Sequence, residues 1–338
     1  SGVMGKEVRM KDIADRLGIS VVAVSKALSG KGGVSDELRA RIRRTADEIG
    51  YKYSTVKPVR RGSETHNIGV LTSEKFVDAE SFYLKYYKHI SSAVQERDYY
   101  ASFHTLSVSD EENLVFPKLL SAERVDGMII LGLISREYTD EIVNSGLPVV
   151  FLDYYDDRKD IDCIICDGFY ASFDMTNYLI ANGHRKIAFV GTVDATGSIE
   201  DRFLGYAKSL IEHKIHISRN YILNDRGEDG LLIDIPLPVD MPTAFVCNCD
   251  QTACRLIKQL NSAGYRVPED ISVTGFDNSV YSSVSEPKIT TIEVNTEAMS
   301  RCAVDTLLRR IENPSVRTGR IPVSGNIVYK NSVRSLNK

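Results

Sequence analysis

Val21, Val22, Ser25, Lys26 and Ser29 share one side of the short helical run "SVVAVSKALSG", while Ala23, Val24, Ala27 and Leu28 share the other. The first group holds branched methyls, two hydroxyls and an ammonium. On a DNA duplex these groups suit thymine methyls, phosphate oxygens and guanine acceptors. Ser20, just before the run, is placed to cap its first turn. Another pair that could do chemistry is "CIIC", Cys163 to Cys166. Strand positions three apart face opposite sides, and no second pair or histidine follows, so a metal or redox centre is not expected there. No glycine pattern for nucleotide phosphates occurs, and no HExxH, GxSxG or clustered His/Cys set. The expectation is a protein with no catalytic residues, no metal and no cofactor.

The elements that must position the first group are short helices. Ile13 and Leu17 fall on one stripe of a helix that Gly18 can end in the left-handed conformation. Ser35 opens a third helix with Leu38, Ile42, Ala46 and Ile49 on its apolar face, and Gly50 closes it. This spacing predicts a helix-turn-helix over 4–50, with a small docking cap as the alternative. Charge separates the two readings. Residues 1 to 61 hold fourteen Lys or Arg against seven Asp or Glu, an excess of seven, in a chain whose total is −4. The remainder therefore carries about −11. A basic head on an acidic body fits phosphate binding by the head alone.

Beyond residue 65, β-rich runs such as "NIGVLT", "DGMIILG", "PVVFLD", "KIAFVGT", "TAFVCNCD" and "ISVTGFD" alternate with helical stretches. That alternation predicts an α/β body of two doubly wound parallel-sheet subdomains. No apolar run approaches the eighteen or so residues of a membrane span, and the chain opens with no secretory pattern. A cytoplasmic protein with no membrane partner is expected, and six unpaired cysteines fit it.

The stretch "MKDIADRLGISVVAVSKALSGKGGVSDELRARIRRTADEIGY" closely resembles the DNA-binding head of the lactose-repressor and galactose-repressor family. The resemblance continues through "HNIGV", "ANGHRKIAFVG", "DRFLGY", "AGYRVPEDISVTGFDN", "ITTIEVNTEAM" and "IPVSGNIVYKNSV". It implies a homodimer on a near-palindromic double-stranded operator. It also implies a body (66–338) shaped like a periplasmic sugar-binding protein, joined to the head by a hinge (51–65). The N-subdomain would take about 66–166 and 294–321, and the C-subdomain about 167–293 and 322–338. The chain would then cross near Asp167, Val294 and Pro322.

By the same resemblance α-helical Val21, Val22 and Lys26 face base edges in the major groove; Ser20, Ser25 and the basic residues around them suit phosphates, and Ser29 is a further DNA-binding candidate. A small sugar-like effector would sit between the subdomains. Asp153, Arg202 and Asp277 match positions that contact it, with Ser73 and Tyr83 as further candidates. Arginine offers a fixed fork of donors, and the aspartates accept from hydroxyl pairs. Three departures stand out. Cys249 replaces an effector-binding Asn before the retained Asp250. The segment "EDGLLIDIPLPVDMPTAF" is short and proline-rich where relatives have a helix. Pro58 interrupts the hinge, so Arg60 and Arg61 are expected to follow the minor groove as an extended basic arm. With no leucine heptad after its last strand, the chain is expected to stop at the dimer. The function expected is a repressor of carbohydrate-utilisation genes. A sugar sensor whose head docks to protein is the alternative, which operator binding would exclude.

Overall fold

The computed structural model describes residues 8–28, 33–49, 51, 64–77, 82–121 and 124–337. The expectations for Ser29, Arg60, Arg61 and the hinge around Pro58 fall outside the described residues.

Three helices build the head. In α1 (Met10–Leu17) the Asp12 carboxylate accepts the Arg9 N–H at 2.7 Å, and Gly18 ends the helix at φ 64°. In α2 (Val21–Leu28) the Ser20 hydroxyl accepts the Ala23 N–H at 3.2 Å. Ser35 caps α3 (Asp36–Glu48) in the same way through Leu38, at 3.3 Å. These caps satisfy N–H groups that each helix leaves orphaned. Ile13, Ala14, Val24, Ala27, Leu28, Ile42, Ala46 and Tyr51 close the core. Ala23, expected in that stripe, is only half-buried.

The chain divides into two compact units. Unit 1 is Ser1–Ile165 with Glu297–Ile321, and unit 2 is Cys166–Thr296 with Pro322–Lys338. After the head, unit 1 runs through β1 (Asn67–Ser73), α4 (Glu74–Val77), α5 (Phe82–Gln95), β2 (Tyr100–Leu106), α6 (Val108–Glu112), α7 (Lys118–Ser121), β3 (Gly127–Leu131), α8 (Arg136–Asn144), β4 (Val149–Leu152) and β5 (Asp162–Cys166). Unit 2 holds α9 (Gly168–Ala181), β6 (Ile187–Val190), α10 (Gly197–Glu212), β7 (Ile222–Leu223), β8 (Ala244–Cys247), α11 (Asp250–Ser262), β9 (Ser272–Thr274), α12 (Val280–Val284) and β10 (Thr291–Glu293). The long helix α13 (Thr296–Glu312) leads back to unit 1 and to β11 (Arg320–Val323), and β12 (Asn326–Val328) returns to unit 2.

The six-stranded sheet of unit 1 has the order β11-β5-β4-β3-β1-β2, and the four-stranded sheet of unit 2 the order β7-β6-β8-β9. The pairs β1–β2, β1–β3, β3–β4 and β4–β5 are parallel, as are β6–β7, β6–β8 and β8–β9. Every residue of β3 and β4 is buried, as it is in β6 and β8. Continuous apolar runs of this kind belong to strands covered on both faces. The fold is thus the α/β body with a helix-turn-helix head that the alternation and spacing predict. Residues 224–243, which include the proline-rich stretch, form an isolated bridge between Arg226 and Leu232 and no helix.

Candidate functional site

On α2, Val24, Ala27 and Leu28 turn into the head core, which leaves Val21 42% and Val22 62% exposed. Lys26 is exposed beside them, and half-buried Ser25 donates from its hydroxyl to Glu141 Oε1 at 3.0 Å. The amphipathic split is therefore physical: the outward face is the one with methyls and an ammonium on it.

Parallel sheets offer a second site, at the carboxyl ends of their strands. In unit 1, Ser73 ends β1 and is fully buried, its hydroxyl without a hydrogen-bond partner among the described residues. Asp153 follows β4 in the left-handed region at φ 60°, and the Tyr83 hydroxyl reaches Asp153 Oδ2 at 3.5 Å.

In unit 2 the fold gathers Arg202, Cys249, Asp250 and Asp277. The Arg202 guanidinium lies over the Phe276 ring, 3.7 Å from its centroid. Its Nη1 donates to the Asn248 carbonyl at 2.5 Å, and its Nη2 stands 3.5 Å from Asp277 Oδ1. The buried Nε has no hydrogen-bond partner among the described residues. Asp277 holds φ 100°, a strained angle for a residue with a Cβ. Cys249 caps α11: its sulfur accepts the Thr252 N–H at 3.5 Å and its thiol donates to the Thr252 hydroxyl at 3.3 Å.

Asp250 differs from its expected role. Its carboxylate is fully buried, accepting from Thr291 Oγ1 at 2.5 Å and from the Ser279 N–H at 2.7 Å. It fits there because residue 275 is glycine; a Cβ at that position would stand 2.2 Å from Asp250 Oδ1. The side chain therefore braces the 275–279 loop from within.

Several residues of this edge were not found from the sequence. Asn248 follows β8, Thr192 follows β6, and Asp225 and Arg226 follow β7. Fully buried Asp225 accepts from the Thr192 N–H at 3.0 Å, Asn248 Nδ2 at 2.6 Å and the Thr252 hydroxyl at 2.7 Å. Arg226 adds Nε and Nη2, each at 3.1 Å. The signal that could have exposed them is positional: each occupies the first residues past a parallel strand.

Burial has opposite outcomes for the two carboxyls. Burial, with the Asp277 charge nearby, pushes Asp250 from its ordinary 3.8 up to about 7, against the hydrogen bonds from Thr291 and Ser279. Burial also penalises ionised Asp225, but the hydrogen bonds from Arg226, Thr252, Thr192 and Asn248 prevail and bring it down to about 2. A raised carboxyl favours the fold below its unfolded pKa, and that contribution fades as pH climbs through about 7. A lowered one favours the fold above 3.8 and fades as pH falls toward about 2. Asp250→Asn, which keeps an acceptor for Ser279, is therefore expected to flatten the profile of melting temperature against pH between about 4 and 7. An unchanged slope in that window would place the titration elsewhere.

Comparison with known proteins follows this geometry. Residues 9–54 match "Bacterial regulatory proteins, lacI family", and residues 176–333 match "Periplasmic binding protein-like domain". The HTH-type transcriptional repressor PurR of Pectobacterium atrosepticum is 29% identical over 339 residues, 96% of each chain. The "Probable HTH-type transcriptional repressor ExuR" of Bacillus subtilis is 27% identical, covering 97% of this chain and 99% of that one. Among solved structures, a CelR–cellobiose complex aligns with a TM-score of 0.68 at 21% identity over 96% of this chain and 99% of that one. The lac repressor dimer bound to operator and the anti-inducer ONPF aligns at 0.63 with 23% identity, over 97% of this chain and 100% of that one. A head of three capped helices, a body of two parallel sheets and these matches along nearly the whole chain agree: the chain joins a DNA-binding head of the lacI family of bacterial regulatory proteins to a periplasmic binding protein-like domain.

Proposed function

We propose that this chain is a transcriptional repressor whose α2 reads an operator in the major groove, under the control of a small sugar-like effector. The observation that carries the reading is the face of α2. Its core residues are spoken for by α1 and α3, while Val21, Val22 and Lys26 stand outward on a basic head. Valine methyls suit thymine, and lysine suits guanine O6 and N7. The curated relatives, matched end to end, are named transcriptional repressors.

The effector is assigned to the strand ends of unit 2, with Arg202 and Asp277 as donor and acceptor; Tyr83, Asp153 and Ser73 are a separate candidate set at the strand ends of unit 1. Cys249 lines the unit 2 edge, and Asp250 supports it from beneath. Homodimerisation is supported by an apolar band on edge strand β2 and helix α5, where Tyr100 is 72% and Leu84 58% exposed. Tyr87 of α5 meets Phe103 of β2 with ring centroids 4.6 Å apart, on the face of the strand opposite Tyr100. An uncovered edge of this kind is normally paired or shielded. Two heads would then meet two half-sites about one helical turn apart.

The test is binding of the full chain to near-palindromic duplexes by fluorescence anisotropy. Lys26→Ala is expected to cost about 1–3 kcal/mol on the preferred duplex and to relax the preference at one symmetric base pair. Equal loss on every duplex would make Lys26 a phosphate contact, and a wild-type chain that prefers no sequence would sink the reading.

A further inference from the structure

Two guanidiniums lie on either side of Asn248 in its hydrogen-bond chain at the strand ends of unit 2. Arg202 comes from α10 and donates to the Asn248 carbonyl at 2.5 Å, while Arg226, past the end of β7, donates to Asp225, which also accepts from Asn248 Nδ2 at 2.6 Å. Arg226 is held edge-on by its own neighbour. Asp225 takes its Nε and Nη2 at 3.1 Å each, which fixes the guanidinium plane and leaves Nη1 with no hydrogen bond among the described residues. Its side chain is 22% exposed, whereas Asp225 is completely covered. The backbone is clamped as well, because the Thr192 hydroxyl accepts the Arg226 N–H at 3.1 Å and donates to the Arg226 carbonyl at 3.1 Å.

A residue held by four hydrogen bonds with one donor edge left over is preorganised for an acceptor. The Asp225 charge does not cancel that edge. It is shared with Thr192, Asn248 and Thr252, so Arg226 is one of four partners. Arg202 supplies the second observation: its buried Nε has no hydrogen-bond partner among the described residues. Residues 227–232 turn back beside this position through the Arg226–Leu232 bridge and the Gly227 N–H on the Leu231 carbonyl at 3.0 Å, and the Arg226 side chain still keeps 22% of its surface exposed. Two rigid forks of donors on one edge are the means by which proteins recognise carboxylate and phosphate.

We infer that the effector carries an anionic group, a carboxylate or a phosphate on a sugar-like body, and that Arg226 is the side chain that selects it. This rests on the reading that the strand ends of unit 2 hold the effector. Hydroxyls of the body fall to Asp277 and Arg202, and the anionic group falls to the free edge of Arg226. The assignment makes Arg226 a specificity residue. A neutral sugar would leave that donor edge unanswered, and replacing the arginine would remove the discrimination.

The experiment is calorimetric titration of the full chain with glucose, galactose, their uronic acids and their 6-phosphates. At least one acid or phosphate is expected to bind, with its neutral parent about tenfold weaker or worse. The uronate and phosphate arms separate the two sources of charge. Arg226→Gln is expected to erase the preference for the anionic member, and Arg226→Lys to retain part of it. Retention by the lysine variant separates lost recognition from a disturbed fold. The inference is overturned if a neutral sugar binds as tightly as its acid and phosphate, if Arg226→Gln keeps the preference, or if no anionic member binds at millimolar concentration. A neutral sugar that binds as tightly as its acid and its phosphate, in an Arg202-dependent way, would overturn this inference and leave the proposed function standing.

Discussion

Gly205→Ala should destabilise unit 2 by about 3 kcal/mol or more, the upper end of what forced overpacking costs. A Cβ at Gly205 would stand 1.9 Å from the Phe169 carbonyl oxygen and 2.9 Å from its carbon. Both are backbone atoms of α9, so no rotamer change can clear them, and α9 and α10 must separate. Alanine's better helix propensity recovers only about 1 kcal/mol. For a unit of this size the melting temperature should fall by roughly 6–12 °C. The damage reaches Arg202 too, because a Cβ on Gly168 of α9 would lie only 3.3 Å from Arg202 Cγ. Spreading the helices shifts the floor on which Arg202 rests. A variant melting within a degree of wild type would show that the helix crossing is looser than its geometry implies.

The second large effect is expected at Arg202 itself. Arg202→Ala removes the guanidinium stacked on Phe276, the donor to the Asn248 carbonyl and the neighbour of Asp277. Loss of charged hydrogen bonds to an effector should weaken its binding by about 3 kcal/mol, roughly a hundredfold in Kd. Asp277, strained and left without its cation, should also become a poorer acceptor. The measurement is calorimetric Kd for the compound that raises the wild-type melting temperature. Arg202→Lys, which keeps charge but not the fork, should fall between the two. If the alanine variant binds that compound within twofold of wild type, the unit 2 edge is not the effector site.

Much of the head could be read from its sequence because its determinants are local. Ser20, Ser35 and Gly18 act on N–H groups or angles within three residues of themselves. The buried strands were legible for a similar reason, as unbroken runs such as those of β3 and β4. Strand order was not, since partners such as β1 and β3 lie about sixty residues apart and nothing in either run names the other. β7 is two residues long, too short to leave any pattern.

At the strand ends of unit 2, the resemblance points to Arg202 and Asp277, and the structure sets their side chains 3.5 Å apart. Asn248 and Asp225 are not legible in the sequence because they meet through a hydrogen bond across 23 residues of it. Asp250 shows the limit differently. A carboxylate just past a strand reads the same whether it turns outward or inward, and only Gly275 gives it room to turn in.

Strand β5 has β4 on one side and β11 on the other, and the Cys163 N–H donates to the Gly319 carbonyl at 3.0 Å. The partner that covers this edge is therefore made long after the strand itself. At about 5–20 residues per second, a ribosome needs roughly eight to thirty seconds to travel from Cys166 to Arg320. Throughout that interval the donors and acceptors along one side of β5 have no intramolecular match, although the rest of the sheet can already pair. An open, apolar strand edge invites pairing with other chains. The nascent protein is thus most exposed to misassembly late in synthesis, when a nearly complete sheet waits for its last strand, and that is when a chaperone able to shield strand edges would matter most.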